Sequence, residues 1–185
     1  MSICAKEVNE YLCAIKHGDK AKFKQLFELI SHRILGVARY YLVDKSYCED
    51  VVSEVFAKVY LKIDTYDESK DGYNWICRIV ENTAYDFNEN TAKYFNYRTS
   101  QNSDNIDSVP VLPESELLED VEKRADLFRA IDKLDPESLE LINLYYFLGD
   151  SYSEIGKKFH ISKVAVKKKI DKILSKLKIY IENKF

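Results

Sequence analysis

The sequence predicts an all-α chain. Two small helical domains are joined by a flexible acidic linker, and the second domain is built around a helix-turn-helix. Three observations carry this expectation. Apolar residues recur every three or four positions, and no alternating apolar-polar run marks a strand. Only 5 Gly and 3 Pro interrupt the 185 residues. The periodicity lapses once, from about residue 96 to 120, where NYRTSQNSDNIDSVPVLPESELLED carries two prolines and many Ser, Asn and acidic residues. Domains are therefore expected at 1–95 and 121–185, with the linker at 96–120.

The first helix is expected from Ala5 to His17, with Val8, Leu12 and Ile15 apolar; Gly18 ends it and Asp19 caps the next. From Lys20 to about Leu42 one wide buried face is expected, made by Phe23, Leu26, Phe27, Ile30, Ile34, Val37, Ala38 and Tyr41. After a turn at Asp44-Lys45-Ser46, a third helix runs from about Tyr47 to Ile63, its stripe Val51, Val52, Val55, Phe56, Val59 and Tyr60. Glu49, Asp50, Ser53 and Glu54 lie mostly on its other faces. They either complement the helix dipole or form a docking surface for a basic partner. A polar loop, Asp64 to Gly72, leads into a fourth helix from about Tyr73 to Asn88 with Trp75, Ile76, Ile79, Val80 and Thr83 in its core stripe. Arg78, Asn82 and Asp86 recur on another face, with Tyr85 near them. That face is either a plain polar surface or a place where unpaired bases stack and are read on their edges.

After the linker, Leu127, Ala130, Ile131 and Leu134 form one stripe. Asp135-Pro136 starts a helix carrying Leu139, Leu141, Ile142, Leu144 and Tyr145 that ends near Leu148-Gly149. Ser151 and Glu154 have capping-box spacing, so each can satisfy the other's helix-start amide. Ile155 and Phe159 face the core, and Gly156 suits a close approach. His160-Ile161 make the turn and Ser162 caps the last helix. There Val166, Ile170, Ile173, Leu174 and Leu177 define a buried stripe. At about 100° per residue Lys168 and Lys172 point nearly opposite it, with Lys167 and Lys169 on its flanks. Such a helix is either an ordinary solvated amphipath or a reader of the DNA major groove.

Charge separates along the chain. Residues 151–185 hold 10 lysines against Glu154, Asp171 and Glu182, a net of +7, whereas the first 150 residues hold 18 basic and 28 acidic residues, a net of −10. A positive end on a negative body points to a polyanion for one and a different partner for the other. The sequence contains no apolar run of the roughly 20 residues a membrane span needs and no hydrophobic leader, so a cytoplasmic protein without membrane insertion is expected. Cys4, Cys13, Cys48 and Cys77 are far apart and form no C-x-x-C, and His17, His32 and His160 have no metal-site spacing. No phosphate-binding loop, dinucleotide fingerprint or nucleophile elbow is present. No catalytic residue, metal or cofactor is therefore expected.

The chain as a whole resembles the two-domain sigma factors of bacterial RNA polymerase, of the extracytoplasmic-function (ECF) type. Gly18-Asp19 with Ala21 and Phe23 looks like the family's opening. Glu49-Asp50-Val51-Val52-Ser53-Glu54-Val55-Phe56 looks like its polymerase clamp-binding segment. Trp75 through Asp86 is similar to the segment that opens and reads the −10 element. Tyr152–Gly156, Ile161-Ser162 and Val166-Lys167 look like the −35-reading helix-turn-helix. The four stand in order around an acidic linker. The resemblance implies polymerase docking through Glu49, Asp50, Ser53 and Glu54. It implies −10 contacts through Arg78, Asn82, Tyr85 and Asp86, with a flipped-base pocket around the Asp64–Gly72 loop, Asn82 and Tyr85. It implies −35 contacts through Lys163, Lys167, Lys168, Lys169 and Lys172, with Val164 and Ala165 on thymine methyls. The implied partners are core RNA polymerase, promoter DNA and an anti-sigma factor, and the chemistry and its Mg²⁺ belong to the polymerase. The chain departs from the family in two places. Ser53 stands where glutamine is common, and Phe87-Asn88-Glu89-Asn90 follow Asp86 where arginines are usual, so −10 contact would lean on stacking and base capture, or on the polymerase presenting the DNA. A stand-alone helix-turn-helix regulator and a sigma-like decoy that binds polymerase without opening DNA are the competing expectations.

Overall fold

The computed structural model describes residues 3–98 and 118–182, with side chains for 6–91 and 125–181. Among these residues every regular element is helical. The helices are α1 (Ile3–Lys16), α2 (Lys22–Tyr41), α3 (Cys48–Leu61), α4 (Gly72–Arg98), α5 (Leu118–Ile131), α6 (Pro136–Ile142), α7 (Tyr152–Lys158) and α8 (Lys163–Glu182), with short 3-10 turns at Lys45–Tyr47 and Ile63–Thr65. The chain divides into two compact units, Met1–Asn102 with Tyr146–Gly149, and Ser103–Tyr145 with Asp150–Phe185. Most of the stretch expected to be the acidic linker, residues 99–117, lies outside the described residues. The expected two helical bodies are present.

In the first unit α2 and α4 each touch the other three helices. Val8, Leu12 and Ile15 of α1 are buried, as their spacing requires. Gly18, at φ +101°, stops α1; its own N–H and that of Asp19 reach back to the carbonyls of Ile15 and Ala14, satisfying two orphaned helix-end acceptors. Asp19 does not cap α2, contrary to expectation. The N-cap is Ala21, without a side-chain bond, and the carbonyls of Asp19 and Lys20 take the N–H groups of Lys22 and Phe23 instead. Leu26, Ile30, Ile34, Val37 and Ala38 are buried, but Phe27 is 44% exposed beside Phe56. Tyr60 of α3, also expected inside, is 40% exposed and lies edge-on to Phe23. Both rings sit at the margin of their stripes, where an aromatic covers the core edge and stays wet on one side.

The loop before α4 was expected to be merely polar, yet Tyr66 within it is buried. Its hydroxyl donates to the Lys70 carbonyl at 3.0 Å, and Lys16 Nζ donates to the Tyr66 carbonyl at 2.7 Å. Trp75, expected fully in the core, is half-buried, its ring tilted on Tyr66 at 5.3 Å. Asp71 caps α4 by accepting the Asn74 N–H at 3.0 Å. Gly72 is tightly surrounded there: a Cβ would lie 2.4 Å from Leu12 Cδ1, so that side chain would have to shift, and the Gly72 N–H donates to Asn9 Oδ1 at 2.7 Å. α4 reaches Arg98, ten residues beyond the expected Asn88.

In the second unit α8 touches α5, α6 and α7. Asp135 caps α6 through the Ser138 N–H, with Pro136 in the first turn. A π-helical turn, Asn143–Leu148, follows α6 and runs past Tyr145 into the short segment grouped with the first unit, which ends at Gly149 (φ +83°). Leu127, expected inside, is 38% exposed. The capping box of α7 is complete: Glu154 Oε2 accepts the Ser151 N–H at 2.8 Å and Ser151 Oγ accepts the Glu154 N–H at 3.3 Å. His160 takes the left-handed conformation (φ 54°) while the Ile161 and His160 N–H groups return to the Gly156 and Lys157 carbonyls. Ser162 caps α8 by accepting the Ala165 N–H at 3.2 Å. Val166, Ile170, Ile173 and Leu177 are buried, whereas Leu174 is 38% exposed, because it lies roughly 70° round the helix from the stripe's centre.

The turn between α7 and α8 sets a stability test. A Cβ on Gly156 would lie 2.7 Å from the Ile161 carbonyl oxygen, a backbone atom that cannot step aside. Gly156→Ala should cost about 1–3 kcal/mol by forcing that shift. His160→Gly should instead stabilise by up to about 1 kcal/mol, because glycine carries no penalty at positive φ. Urea unfolding of both variants measures the two signs.

Candidate nucleic-acid interface

Burial of the α8 stripe turns the rest of that helix outward. Lys163, Val164, Lys167, Lys168, Lys169 and Lys172 are all exposed, and Ala165 is half-buried. Five of the seven thus form one open surface. Lys169 is different, because its Nζ lies 2.5 Å from Glu137 Oε1 of α6. That places it on the flank expected for it, but partnered within its own unit. Lys158 of α7 is likewise paired with Glu140 at 3.0 Å. Behind this surface the capping box is charged: hydrogen bonds from Ser151 hold the Glu154 carboxyl below the usual carboxylate range. Asp150, one residue before the cap, is pushed up by burial and by the nearby Glu154 charge, against the pull of Lys158.

On α4, Arg78, Asn82, Tyr85 and Asp86 are all exposed. Tyr85 stands 5.8 Å from Tyr41, which in turn stands 5.1 Å edge-on to Tyr40, so α4 and the end of α2 present three tyrosines together. Burial, then the Glu81 charge, pushes the Tyr41 hydroxyl up to about 12, which keeps it a neutral donor at any physiological pH. The two residues after Asp86 are occupied in packing. Phe87 lies 6.0 Å from the Tyr47 ring. The Asn88 amide bridges backbone, Nδ2 donating to the Tyr41 carbonyl at 2.9 Å and Oδ1 accepting the Val43 N–H at 2.9 Å. At these positions the chain uses side chains to close the α2–α3 turn.

On α3, Glu49, Asp50 and Ser53 are exposed. Glu54 is half-buried, with Lys58 Nζ at 2.7 Å from its Oε1. The same ammonium reaches Thr83 Oγ1 and Asp86 Oδ2 on α4, at 3.1 and 3.5 Å. Lys58, Tyr41 and Asn88 are absent from the sequence-based set. Only Lys58 left a signal there, the i, i+4 spacing from Glu54. Among the described residues no His, Cys, Asp and Glu cluster could hold a metal ion, and Cys13, Cys48 and Cys77 form no disulfide.

Residues 26–93 match the Sigma-70 region 2 family and residues 130–178 match the Sigma-70, region 4 family. The ECF RNA polymerase sigma-E factor of Escherichia coli (strain K12) is 30% identical over 160 residues, 77% of each chain. The chain belongs to the sigma-70 family, as an ECF-type sigma factor. The RNA polymerase sigma factor NccH of Alcaligenes xylosoxydans xylosoxydans is 26% identical over 169 residues, 90% of each chain. Among solved structures, CnrH in complex with the cytosolic domain of CnrY aligns over 96% of this chain and 98% of that one, at 20% identity and a TM-score of 0.48. The sigma factor RpoE in complex with the anti-sigma factor NepR from Bartonella quintana aligns over 86% and 96%, at 18% identity and a TM-score of 0.48. This sigma factor thus carries regions 2 and 4 and supports promoter-specific initiation by RNA polymerase. No helix among its described residues is long and apolar enough to cross a membrane.

The two carboxyls at the start of α7 titrate in opposite directions. Glu154 is depressed, so its stabilising contribution is present above its unfolded value and is lost as pH falls through the folded one. Asp150 is raised, so its contribution is present below its unfolded value and is lost as pH rises through the folded one. Carboxyl carbon NMR titration should find Glu154 below Asp150, the reverse of their order in free peptides.

Proposed function

We propose that this sigma factor reads the −35 duplex with the α7–α8 helix-turn-helix, holds the −10 element on α4, and docks on the polymerase clamp through α3. In this reading Lys163, Lys167, Lys168 and Lys172 neutralise −35 phosphates and Val164 and Ala165 touch thymine methyls, while Lys169 contributes less because Glu137 already holds it. Arg78, Asn82, Tyr85 and Asp86 receive the opened −10 strand, with the base pocket around the Asp64–Gly72 loop, Asn82 and Tyr85. Glu49, Asp50, Ser53 and Glu54 meet a basic polymerase surface. The functional boundaries are those read from composition: residues 1–95 for docking and the −10 element, 96–120 as linker, 121–185 for the −35 element. The polymerase supplies the nucleotidyl transfer, the chain itself is no enzyme, and it works in the cytoplasm, where an anti-sigma partner would restrain it.

The observation that carries this reading is the exposure of Lys168 and Lys172 on the side of α8 away from its buried stripe, behind a capped and tightly turned α7. Four free phosphate contacts give a slope of about −3.6 in log K against log salt, at about −0.9 each. Lys168→Glu should abolish −35-dependent transcription and leave binding to core polymerase intact. Loss of core binding in that variant would place the docking surface on the wrong helix. A gel shift with purified protein separates the stand-alone regulator, which binds duplex tightly without polymerase.

A further inference from the structure

Lys58 stands between two surfaces that the proposed function treats as separate. Its ammonium has three protons, and three acceptors surround it: Glu54 Oε1 on α3 at 2.7 Å, and Thr83 Oγ1 and Asp86 Oδ2 on α4 at 3.1 and 3.5 Å. The arrangement is graded. Thr83 is fully buried and gives the lysine a fixed point on α4. Glu54 is near, and Asp86 is farther and more exposed, at 64% against 42% of the side chain. In the free chain the ammonium therefore leans toward α3. Asp86 is then only partly compensated, on a helix where Glu81 and Glu89 add negative charge and Phe87, Asn88, Glu89 and Asn90 follow.

We propose that Lys58 is an electrostatic relay: a basic group of the polymerase that engages Glu54 releases the ammonium, which turns on Thr83 toward Asp86 and brings its charge to the −10 face. The proposal rests on the docking role of Glu54. A carboxylate shared by two cations holds each less firmly, and the two cations repel one another. Asp86 is the acceptor already within reach. One lysine thereby supplies, after docking, positive charge on the face where Phe87-Asn88-Glu89-Asn90 directly follow Asp86. The coupling is reciprocal, so DNA on α4 that favours the Asp86-bound lysine also frees Glu54 for the polymerase. Lys58 touches no base in this scheme; it is a positioning residue.

The test uses the free 185-residue chain and a short fluorescent A/T-rich single strand of DNA, read by anisotropy at low salt. Glu54→Gln removes the nearer carboxylate without changing its shape, and it should tighten binding about fivefold, the low end of common coupling factors. Glu49→Gln makes the same change in net charge on the same helix, outside the Lys58 cluster, and should tighten binding less than twofold. Adding Lys58→Met to Glu54→Gln should erase the gain. Equal affinities for the Glu54 and Glu49 variants overturn the relay, and so does a gain that survives Lys58→Met. The Glu49 comparison needs no Lys58 variant, so it decides even where Lys58→Met fails to fold. Polymerase is absent throughout, so failure here concerns the relay, whereas failure of the wild-type chain to bind core polymerase would concern the docking role.

Discussion

Burial of four side chains on one helix governs the rest of the second unit. Val166, Ile170, Ile173 and Leu177 occupy one narrow sector of α8 and are all covered. Each contributes roughly 1.5–3 kcal/mol by leaving water, more than any surface lysine contact is worth. The helix therefore cannot rotate to satisfy its lysines; they point where the stripe leaves them. The α7 cap and the tight turn through His160 then fix the direction in which α8 leaves. The outward row of lysines is the by-product of a hydrophobic constraint.

The first unit solves a different problem. Its charges nearly balance, 14 basic against 15 acidic over residues 1–102, and like charges on adjacent helices must be kept from opposing one another. Lys58 does this locally by joining Glu54 of α3 to Thr83 and Asp86 of α4. Asn88 ties the end of α2 to the following turn, and Tyr66 anchors the loop before α4. These are polar links that hold α4 in register with its neighbours, in a chain where Phe87-Asn88-Glu89-Asn90 directly follow Asp86. Long helices in such a unit draw their stability from these tertiary contacts more than from local propensity.

Period was enough to locate the helices and most of their buried faces. Sequence spacing showed that Val8, Leu12 and Ile15, or Val166 and Ile170, share a side, and these residues are buried. It failed at stripe margins. Phe27, Tyr60, Leu127 and Leu174 have the right phase within about one residue, yet what covers a margin depends on the neighbouring helix, which periodicity does not contain. The buried Tyr66 was hidden because a tyrosine among Asp, Ser and Lys reads as polar loop; its carbonyl is held by Lys16, 50 residues away. The same limit applies to the site. Outward-facing lysines were legible from α8 alone, but the Lys169–Glu137 pair joins residues 32 apart and the Lys58–Asp86 pair joins residues 28 apart. Nothing in either local pattern specifies such a partner.

The buried α8 stripe turns Lys167, Lys168 and Lys172 outward, and the proposed function commits them to DNA. Acetylation footprinting read by mass spectrometry tests it directly, on the free chain, on the chain bound to core polymerase, and on the promoter complex. These three lysines should react freely in the first two states and become protected only when promoter DNA is present. Lysines unreactive in the free chain, or equally reactive on and off the promoter, would contradict it.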